Sequence, residues 1–383
     1  MLRRFYNGGS LVRRGFKVLC IETSCDDTCV SVLDRFNRQQ PLRVLCHYKE
    51  TLDSLEDGGI VPIKAHTHHQ IALGKLTQRA FRDALGTIDL VCVTRGPGMV
   101  GSLSAGISFA KGLSVALNKP LIGVHHMLGH LLIPRMESNG EGVKYPFLSL
   151  LVSGGHTMLV LSRSAIEHEV LCDTIDIAVG DSLDKCAREI GIRGNMLAKE
   201  MESFINEDME QAKLSDSMKI GLPNPLRNKN DRVNMQAFSF CPFVTAVKKN
   251  LPKPLLQLNI QERREIAYKI QEGIFKHVIS QLNLVLRLNS EKLSDVKQFV
   301  CSGGVSANQR LRTKLETELE HDFASFHYPN IELCTDNAVM IGWAGIELYE
   351  KHGLTTGLGA TAIRKWPIDK MLDVPDWVVP DKT

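Results

Sequence analysis

Residues 17–33 of this chain read KVLCIETSCDDTCVSVL, two apolar, β-rich runs on either side of the polar residues 23–27. Residues 146–162, PFLSLLVSGGHTMLVLS, have the same arrangement around residues 153–155. Short runs that flank a polar or Gly-rich turn in this way are typical of a β-hairpin. The sequence therefore predicts one hairpin near the start of each half of the chain.

Each predicted hairpin is followed, further along the chain, by a strand, a Gly-rich turn and a helix. The two sets are residues 88–94, 96–98 and 102–117 in the first half, and 296–301, 303–304 and 306–319 in the second. Two halves that repeat one supersecondary pattern predict an α/β protein. We expect two similar domains with a ligand cleft between them.

The composition is that of a globular protein. The 383 residues are 43% hydrophobic and 23% charged, which excludes collagen-like, coiled-coil and disordered classes. The net charge of +3 is small, so binding to a nucleic acid has to use a local basic surface. No apolar run approaches the ~18–20 residues of a membrane span, which predicts a soluble chain.

The ten cysteines do not have the spacing of a redox or zinc motif, because no Cys-x-x-Cys pair is present. Cys20, Cys92, Cys172 and Cys301 lie inside apolar, strand-like runs. This placement predicts buried free thiols in a reducing compartment.

The first 21 residues have a biased composition. They contain no acid and no continuous apolar core, but five cations: Arg3, Arg4, Arg13, Arg14 and Lys17. Such a stretch is typical of a mitochondrial transit peptide, and we place it at residues 1–16; a disordered basic tail is the alternative. Without these five charges the rest of the chain carries about −2.

The second half contains two predicted helices after an irregular region. Residues 206–259 hold several prolines and a polar run, which predicts loops. Residues 260–288 have a long helical pattern, and residues 336–350 have another that ends before Gly353.

A histidine pair follows the short predicted strand 121–124, within residues 120–134, PLIGVHHMLGHLLIP. His126 and His130 are four residues apart, so on a helix both imidazoles lie on one face and can share a metal ion. Neutral imidazole suits zinc or ferrous iron. The glutamate of the H-E-x-x-H peptidase motif is missing. Histidines that only make hydrogen bonds are the alternative.

Two glycine turns occur at matching places in the two halves. They are Ser153-Gly154-Gly155 and Ser302-Gly303-Gly304, and the second precedes a predicted helix. Glycine lets main-chain N–H groups approach a phosphate closely. Neither turn matches the Walker pattern. A third Gly-rich stretch, residues 94–106, fits either a cleft wall or a tight strand-to-helix turn.

Three polar residues near predicted helix starts each have two interpretations. Asp184 fits a ligand ribose or a favourable charge at a helix N-terminus. Asp336 fits a metal ion or an N-cap, and Asn308 has the same ambiguity.

Taken together, eight blocks of the sequence resemble the signature blocks of the Kae1/TsaD/Qri7 family, the tRNA N6-adenosine threonylcarbamoyltransferases. In chain order they are IETSCDDT, GGIVPIKAH, TRGPGMVGSL, GVHHMLGHL, LLVSGGHT, GDSLDKCARE, CSGGVSANQRLR and CTDNAVMIGWAG. The resemblance runs from about residue 17 to about residue 345, and the Arg-rich start is most similar to the mitochondrial branch. It implies the two-domain actin/hexokinase/Hsp70-like (ASKHA) fold, with the nucleotide and metal site in the cleft.

The resemblance also implies the site residues. A divalent ion, zinc or iron, one per subunit, would be held by His126, His130 and Asp336. The residues that would bind the adenylate are Leu151, Val152, Ser153, Gly154, Gly155, Asp184, Gly194, Gly303, Gly304 and Asn308. Archaeal relatives carry Tyr where this chain has Leu151. Asp26 and Asp27 are candidates for catalytic proton handling; ordinary turn carboxylates are the alternative.

The family transfers threonylcarbamoyl from threonylcarbamoyl-AMP to adenosine 37 of tRNA. For this chain the resemblance implies mitochondrial tRNA as substrate, a Sua5/YrdC-type synthase as donor source, a homodimer, no membrane, and the mitochondrial matrix. We expect one domain at residues 17–135, with 346–383 packing back on it, and a second at 136–345. The competing hypotheses are an ATP-dependent phosphotransferase of the same fold, a metallopeptidase, and a non-catalytic nucleotide-binding module.

Overall fold

The computed structural model describes residues 16–36, 40–54, 59–84, 86–137, 140, 142–227 and 235–379. The predicted transit segment, residues 1–16, lies outside these residues except for Phe16.

The first sheet has five strands in the order β3-β2-β1-β4-β5. They are β1 (Phe16–Glu22), β2 (Asp27–Arg35), β3 (Arg43–Thr51), β4 (Leu90–Gly96) and β5 (Leu121–His125). Strands β1 and β2 pair antiparallel, whereas β4 runs parallel to both β1 and β5. The first predicted hairpin and the strand after it are confirmed.

The second sheet repeats this topology, in the order β10-β9-β6-β7-β8. Its strands are β6 (Phe147–Val152), β7 (Thr157–Ser162), β8 (His168–Asp173), β9 (Gln298–Ser302) and β10 (Ser325–His327). Strands β6 and β7 form the second predicted hairpin, and β9 lies parallel to β6 as β4 does to β1. A small sheet joins β11 (Thr355–Thr356) to β12 (Trp377–Val378). The α/β class and the repeated halves are confirmed.

Ten α-helices connect these strands in the described residues. They are α1 (Pro62–Asp83), α2 (Val100–Leu117), α3 (His126–Met136), α4 (Val179–Glu189), α5 (Leu197–Asn206), α6 (Met209–Leu214), α7 (Cys241–Asn250), α8 (Ile260–Leu288), α9 (Gln309–Leu319) and α10 (Ala338–His352). Helix α8 has the predicted bounds, set by a capping box in which Asn259 and Glu262 exchange hydrogen bonds. The prediction of loops for residues 206–259 is wrong for α6 and α7; proline at the first turn of α7 starts a helix there.

Helix α2 is rich in apolar residues. Within the described ranges it is the one helix that is long and apolar enough to cross a membrane, and 39% of it is buried in the protein. It packs against α1 and β4. The sequence pattern did not show it as an apolar run, because Ser, Gly and Lys interrupt the apolar residues.

Helices α3 and α10 pack against each other and connect the two sheets. Helix α10 lies on β1, β2 and β4, and α3 also contacts β6 and β9 of the second sheet. Their side chains share one hydrophobic cluster with Val18 of the first sheet and Val300 of the second. The N-termini of both helices therefore point to one region between the sheets.

Candidate metal centre and adenylate site

Helix α3 carries the predicted histidine pair at its first turn. Strand β5 ends at His125, whose Nδ1 accepts a hydrogen bond from the Met127 N–H and whose Nε2 donates to the Trp366 carbonyl at 2.7 Å. This fixed strand-to-helix junction places His126 and His130 one turn apart, and both are buried. Their ring centroids are 4.9 Å apart and nearly perpendicular.

Asp336 reaches the histidine pair from the residue before the α10 cap. Its Oδ1 lies 3.1 Å from His130 Nε2 and 3.5 Å from His126 Nε2. Asn337, not Asp336, is the N-cap, because its side-chain oxygen accepts the Met340 N–H at 2.8 Å. The capping interpretation of Asp336 is therefore wrong.

The charges in this cluster support one another. Burial opposes protonation of His126, but the carboxylates of Asp336 and Glu22 outweigh it and raise the His126 pKa to about 9. Burial also opposes ionisation of Asp336, and His126 and His130 outweigh it and lower the Asp336 pKa.

The donor set fits a divalent metal ion. One ligand atom from each of His126, His130 and Asp336 lies within 4.8 Å of the other two. Two imidazoles and one carboxylate are typical of zinc and of non-haem iron sites that keep positions open for other ligands. The structure thus brings the three predicted ligands together.

Two further side chains at the cluster were missed by the sequence reasoning. Glu22, at the end of β1, is fully buried and lies 3.2 Å from His126 Nδ1. The signal was available, because an acid that ends an apolar strand needs a partner when buried. His156 follows the first glycine turn, and its ring centroid is 6.3 Å from that of His126. Burial, followed by the charges of His126 and His130, lowers the His156 pKa to about 4.

The first glycine turn is held closed by main-chain bonds. The Ser153 N–H donates to the His156 carbonyl at 2.8 Å, and Ser153 Oγ accepts the His156 N–H at 3.0 Å. Gly154 and Gly155 are exposed, with open space where a Cβ would project. The turn therefore presents main chain to solvent. Leu151 and Val152 precede it in β6 with buried side chains.

The second glycine turn lies beside the metal cluster. Gly303 has a φ of +93°, a conformation that favours glycine, and an added Cβ there would overlap the Val152 carbonyl. Ser302, at the end of β9, donates through Oγ to the His130 carbonyl at 2.7 Å. Gly304 follows in a 3-10 turn. The turn is thus attached to both β6 and α3.

The remaining predicted adenylate residues have local structural partners. Asp184 lies inside α4, not at its start, and its Oδ1 accepts the Ala198 N–H at 2.6 Å in the first turn of α5. Asn308 caps α9 by accepting the Leu311 N–H. Gly194 has a φ of +147° in the segment between α4 and α5. Their binding roles stay predictions.

Of the two candidate catalytic acids, Asp26 lies in the first hairpin turn and Asp27 is the first residue of β2. Asp27 pairs with Lys49, whose Nζ also donates to the Asp336 carbonyl at 3.3 Å. Burial raises the Asp27 pKa, although Lys49 opposes the shift. His69 supports the turn from α1, because its Nδ1 contacts Thr28 Oγ1 at 2.7 Å and its Nε2 donates to the Cys25 carbonyl at 2.9 Å.

Comparisons with known proteins agree with this geometry. Residues 43–343 match the family model TsaD, described as tRNA N6-adenosine threonylcarbamoyltransferase. A Schizosaccharomyces pombe protein named tRNA N6-adenosine threonylcarbamoyltransferase, mitochondrial, is 39% identical over 382 positions, covering 95% of this chain and 90% of that protein.

Among solved structures, HypF of T. kodakarensis matches 89% of this chain and 49% of its own, with 14% identity and a TM-score of 0.52. Full-length HypF in a phosphate- and nucleotide-bound form matches 89% of this chain and 57% of its own, with 13% identity and a TM-score of 0.50. At this identity the likeness concerns the fold alone. The predicted ASKHA-type architecture is confirmed.

Proposed function

The chain belongs to the TsaD family of tRNA N6-adenosine threonylcarbamoyltransferases, and from this membership we propose which of its residues perform the transfer. It is an acyltransferase that forms N6-threonylcarbamoyladenosine in mitochondrial tRNA. We further propose that the donor is threonylcarbamoyl-AMP and the acceptor the N6 amine of adenosine 37 in tRNAs that read codons beginning with A. The meeting of His126, His130 and Asp336 between the two sheets carries the assignment of the site.

The chemistry needs positioning more than activation. The donor is a mixed anhydride, so the adenosine amine attacks its carbamoyl carbon, the bond to the phosphate oxygen breaks, and AMP leaves. The ion held by His126, His130 and Asp336 would supply positive charge for the donor's oxygen atoms. The main chain of the two glycine turns would bind the adenylate, together with Asp184, Gly194 and Asn308.

The first hairpin turn completes the proposed site. Asp26 and Asp27 would accept the proton released by the amine or order a water molecule at the site. Lys49 supports this placement because it contacts both Asp27 and the main chain of Asp336. Since burial raises the Asp27 pKa, its carboxylate is a better proton acceptor than an exposed one.

We propose that the cleft lies between two domains, residues 17–135 and 136–345, with 346–383 returning to the first. The packing of α10 on the first sheet supports this return. Because α10 is one continuous helix from Ala338 to His352, we place the start of the returning segment at Ala338 instead of at residue 346. The boundary would then fall between the metal ligand Asp336 and the helix it precedes.

The proposed setting is the mitochondrial matrix, with a Sua5/YrdC-type synthase supplying the donor. The proposed oligomer is a homodimer. Exposed apolar residues on the packed helices α1 and α2 support it, namely Ile63 and Ile71 on α1 and Val115 on α2.

Donor transfer by the purified protein tests the proposed function. Protein, threonylcarbamoyl-AMP and unmodified mitochondrial tRNA are incubated, and the nucleosides are analysed by mass spectrometry. We expect His130→Ala to lower the yield of modified adenosine at least about tenfold, because an open metal site loses one of three ligands. His321→Ala, which changes an exposed histidine, should match the wild type.

Two results would contradict the proposal. Transfer by folded His130→Ala at the wild-type rate would remove the metal centre from the reaction. Phosphate transfer from ATP to a small molecule, without modification of tRNA, would favour the phosphotransferase hypothesis.

A further inference from the structure

Glu22 is a fully buried carboxylate that neither the predicted ligand set nor the predicted adenylate site includes. It ends β1, and the apolar residues before it, such as Ile21, are fully buried as well. An ionised carboxylate in such a place is costly unless hydrogen bonds satisfy its oxygens. The hydrogen bonds of the Glu22 carboxylate therefore indicate which groups need a negative charge at this position.

Both oxygens of Glu22 accept hydrogen bonds. Oε1 accepts the Ser24 N–H at 2.5 Å. Oε2 accepts the hydroxyl proton of Thr94, at the end of β4, and faces His126 Nδ1 at 3.2 Å.

This arrangement needs a carboxylate and not an amide. The Ser24 N–H and the Thr94 hydroxyl approach different oxygens, so both atoms must accept. A glutamine would place its NH₂ group either against the Ser24 N–H or against the N–H of His126. In either orientation two donors face each other. In the orientation that turns the NH₂ group toward His126, the histidine itself is disturbed.

The contact also fixes how His126 is presented to the cluster. With its Nδ1 proton donated to Glu22, the ring turns Nε2 toward Asp336, at 3.5 Å. Metal-binding histidines usually donate their other ring N–H to a carboxylate or carbonyl, which sets the tautomer and the ring angle.

We propose that Glu22 is the positioning residue of the metal centre: by accepting the Nδ1 proton of His126, it holds Nε2 ready for a divalent cation. The purpose of that cation rests on the proposed function, but its binding does not. The same carboxylate holds the Ser24 N–H, so it also connects the metal centre to the turn that carries Asp26 and Asp27.

Binding of Co²⁺ to the metal-free protein tests this role, with competition by a chelator and the visible absorption band as readouts. Glu22→Gln should bind Co²⁺ about 10- to 100-fold more weakly and shift the band. The matched control is Thr94→Val, which removes the other hydrogen bond to the same oxygen and keeps the pair with His126. Its affinity should stay within about threefold of the wild type.

A double-mutant cycle separates positioning from general loosening. If Glu22 acts through His126, Glu22→Gln should weaken Co²⁺ binding no further in a His126→Ala background. Additive losses, an unchanged affinity in Glu22→Gln, or an equal loss in Thr94→Val would each overturn the proposal.

Two further measurements keep the test decisive. Thermal unfolding of each metal-free variant shows whether it is folded, and if Glu22→Gln does not fold, Glu22→Asp takes its place. Aspartate keeps the charge but is one methylene too short to reach His126 Nδ1, so it should show the same loss. Failure of the wild type to modify tRNA, with Co²⁺ binding as expected, would overturn the proposed function and leave the role of Glu22 intact.

Discussion

His277, on α8, is a buried residue whose protonation would destabilise the fold. Its Nε2 accepts the Ser239 N–H at 3.2 Å, so the ring is neutral and its proton sits on the other nitrogen. Burial lowers its pKa to about 4 in the folded state, against about 6.5 in an unfolded chain. Protonation of His277 Nε2 would place its N–H against the N–H of Ser239, so that two donors face each other.

This residue predicts a specific pH dependence of stability. Because the folded-state pKa is lowered, its contribution is complete above about pH 6.5 and is lost as the pH falls toward 4, by up to about 1.4 kcal/mol per pH unit. His277→Gln keeps an acceptor for Ser239 and does not titrate. Urea unfolding between pH 7.5 and 4.5 should show a shallower decline for the variant; equal slopes would contradict the assignment.

At the scale of residues, the sequence indicated the candidate metal ligands but not the buried side chains that contact them. His126 and His130 were visible because helical spacing places them on one face, whereas Asp336 fitted either a metal ion or an N-cap until the family resemblance grouped it with the histidines. Glu22 and His156 were missed because their contacts join residues far apart in the chain. Local patterns also misplaced the caps. Asn337 caps α10, and Asp184, which lies in α4, accepts a hydrogen bond from the first turn of α5.

At the scale of elements, the packing of α10 depends on glycines that let it approach the first sheet. A Cβ at Gly342 would overlap Sγ of Cys20, and one at Gly345 would overlap Sγ of Cys92. The helix follows the metal ligand Asp336 directly, so its distance from the sheet also sets the position of that ligand.

We expect Gly342→Ala to destabilise the protein by about 1–3 kcal/mol, because the added methyl overpacks the interface with β1. Gly74→Ala is the matched control, since Gly74 lies inside α1 with open space around it. That change should stabilise the protein by about 0.5–1 kcal/mol, as expected for an exposed helical position. Chemical unfolding of both variants measures the difference, and two changes of the same sign would contradict this view of α10.

The elements that could be predicted were those with strong local signals. Both hairpins and α8 followed from β-rich runs, turns and a helical period. Helices α6 and α7 were predicted as loops because prolines and a polar run interrupt that region. Helix α7 carries proline in its first turn, where proline is tolerated, and α6 has only six residues, too few to show a helical period. Helix α2 was predicted as a helix, while its apolar surface was obscured by small residues.

At the scale of the whole molecule, the supersecondary pattern that the sequence repeats is visible in the two sheets. Each has an antiparallel hairpin at its centre and a parallel strand beside it. What the repetition could not show is the route of α10, which leaves the second half and packs on the first sheet. That return brings Asp336 to the histidines, and it depends on contacts that no local pattern contains.

The apolar surface of α1 and α2 leads to the last prediction, which concerns assembly. Ile63 and Ile71 on α1 are 68% and 53% exposed, and Val115 on α2 is 63% exposed. Exposed apolar residues on two helices that pack together are typical of a surface that another protein covers. For the proposed homodimer, the second copy would bring the same two helices to a two-fold interface.

A charge in such an interface would be desolvated without a partner. We therefore expect Val115→Glu to weaken dimerisation at least about tenfold, measured as the concentration at which light scattering after size-exclusion chromatography shows dimer giving way to monomer. Leu256→Glu is the control, since Leu256 is 99% exposed and remote from α2 in the chain, and it should leave the mass unchanged. A wild type that is monomeric at all concentrations, or a Val115→Glu dimer as stable as the wild type, would rule out assembly through α2.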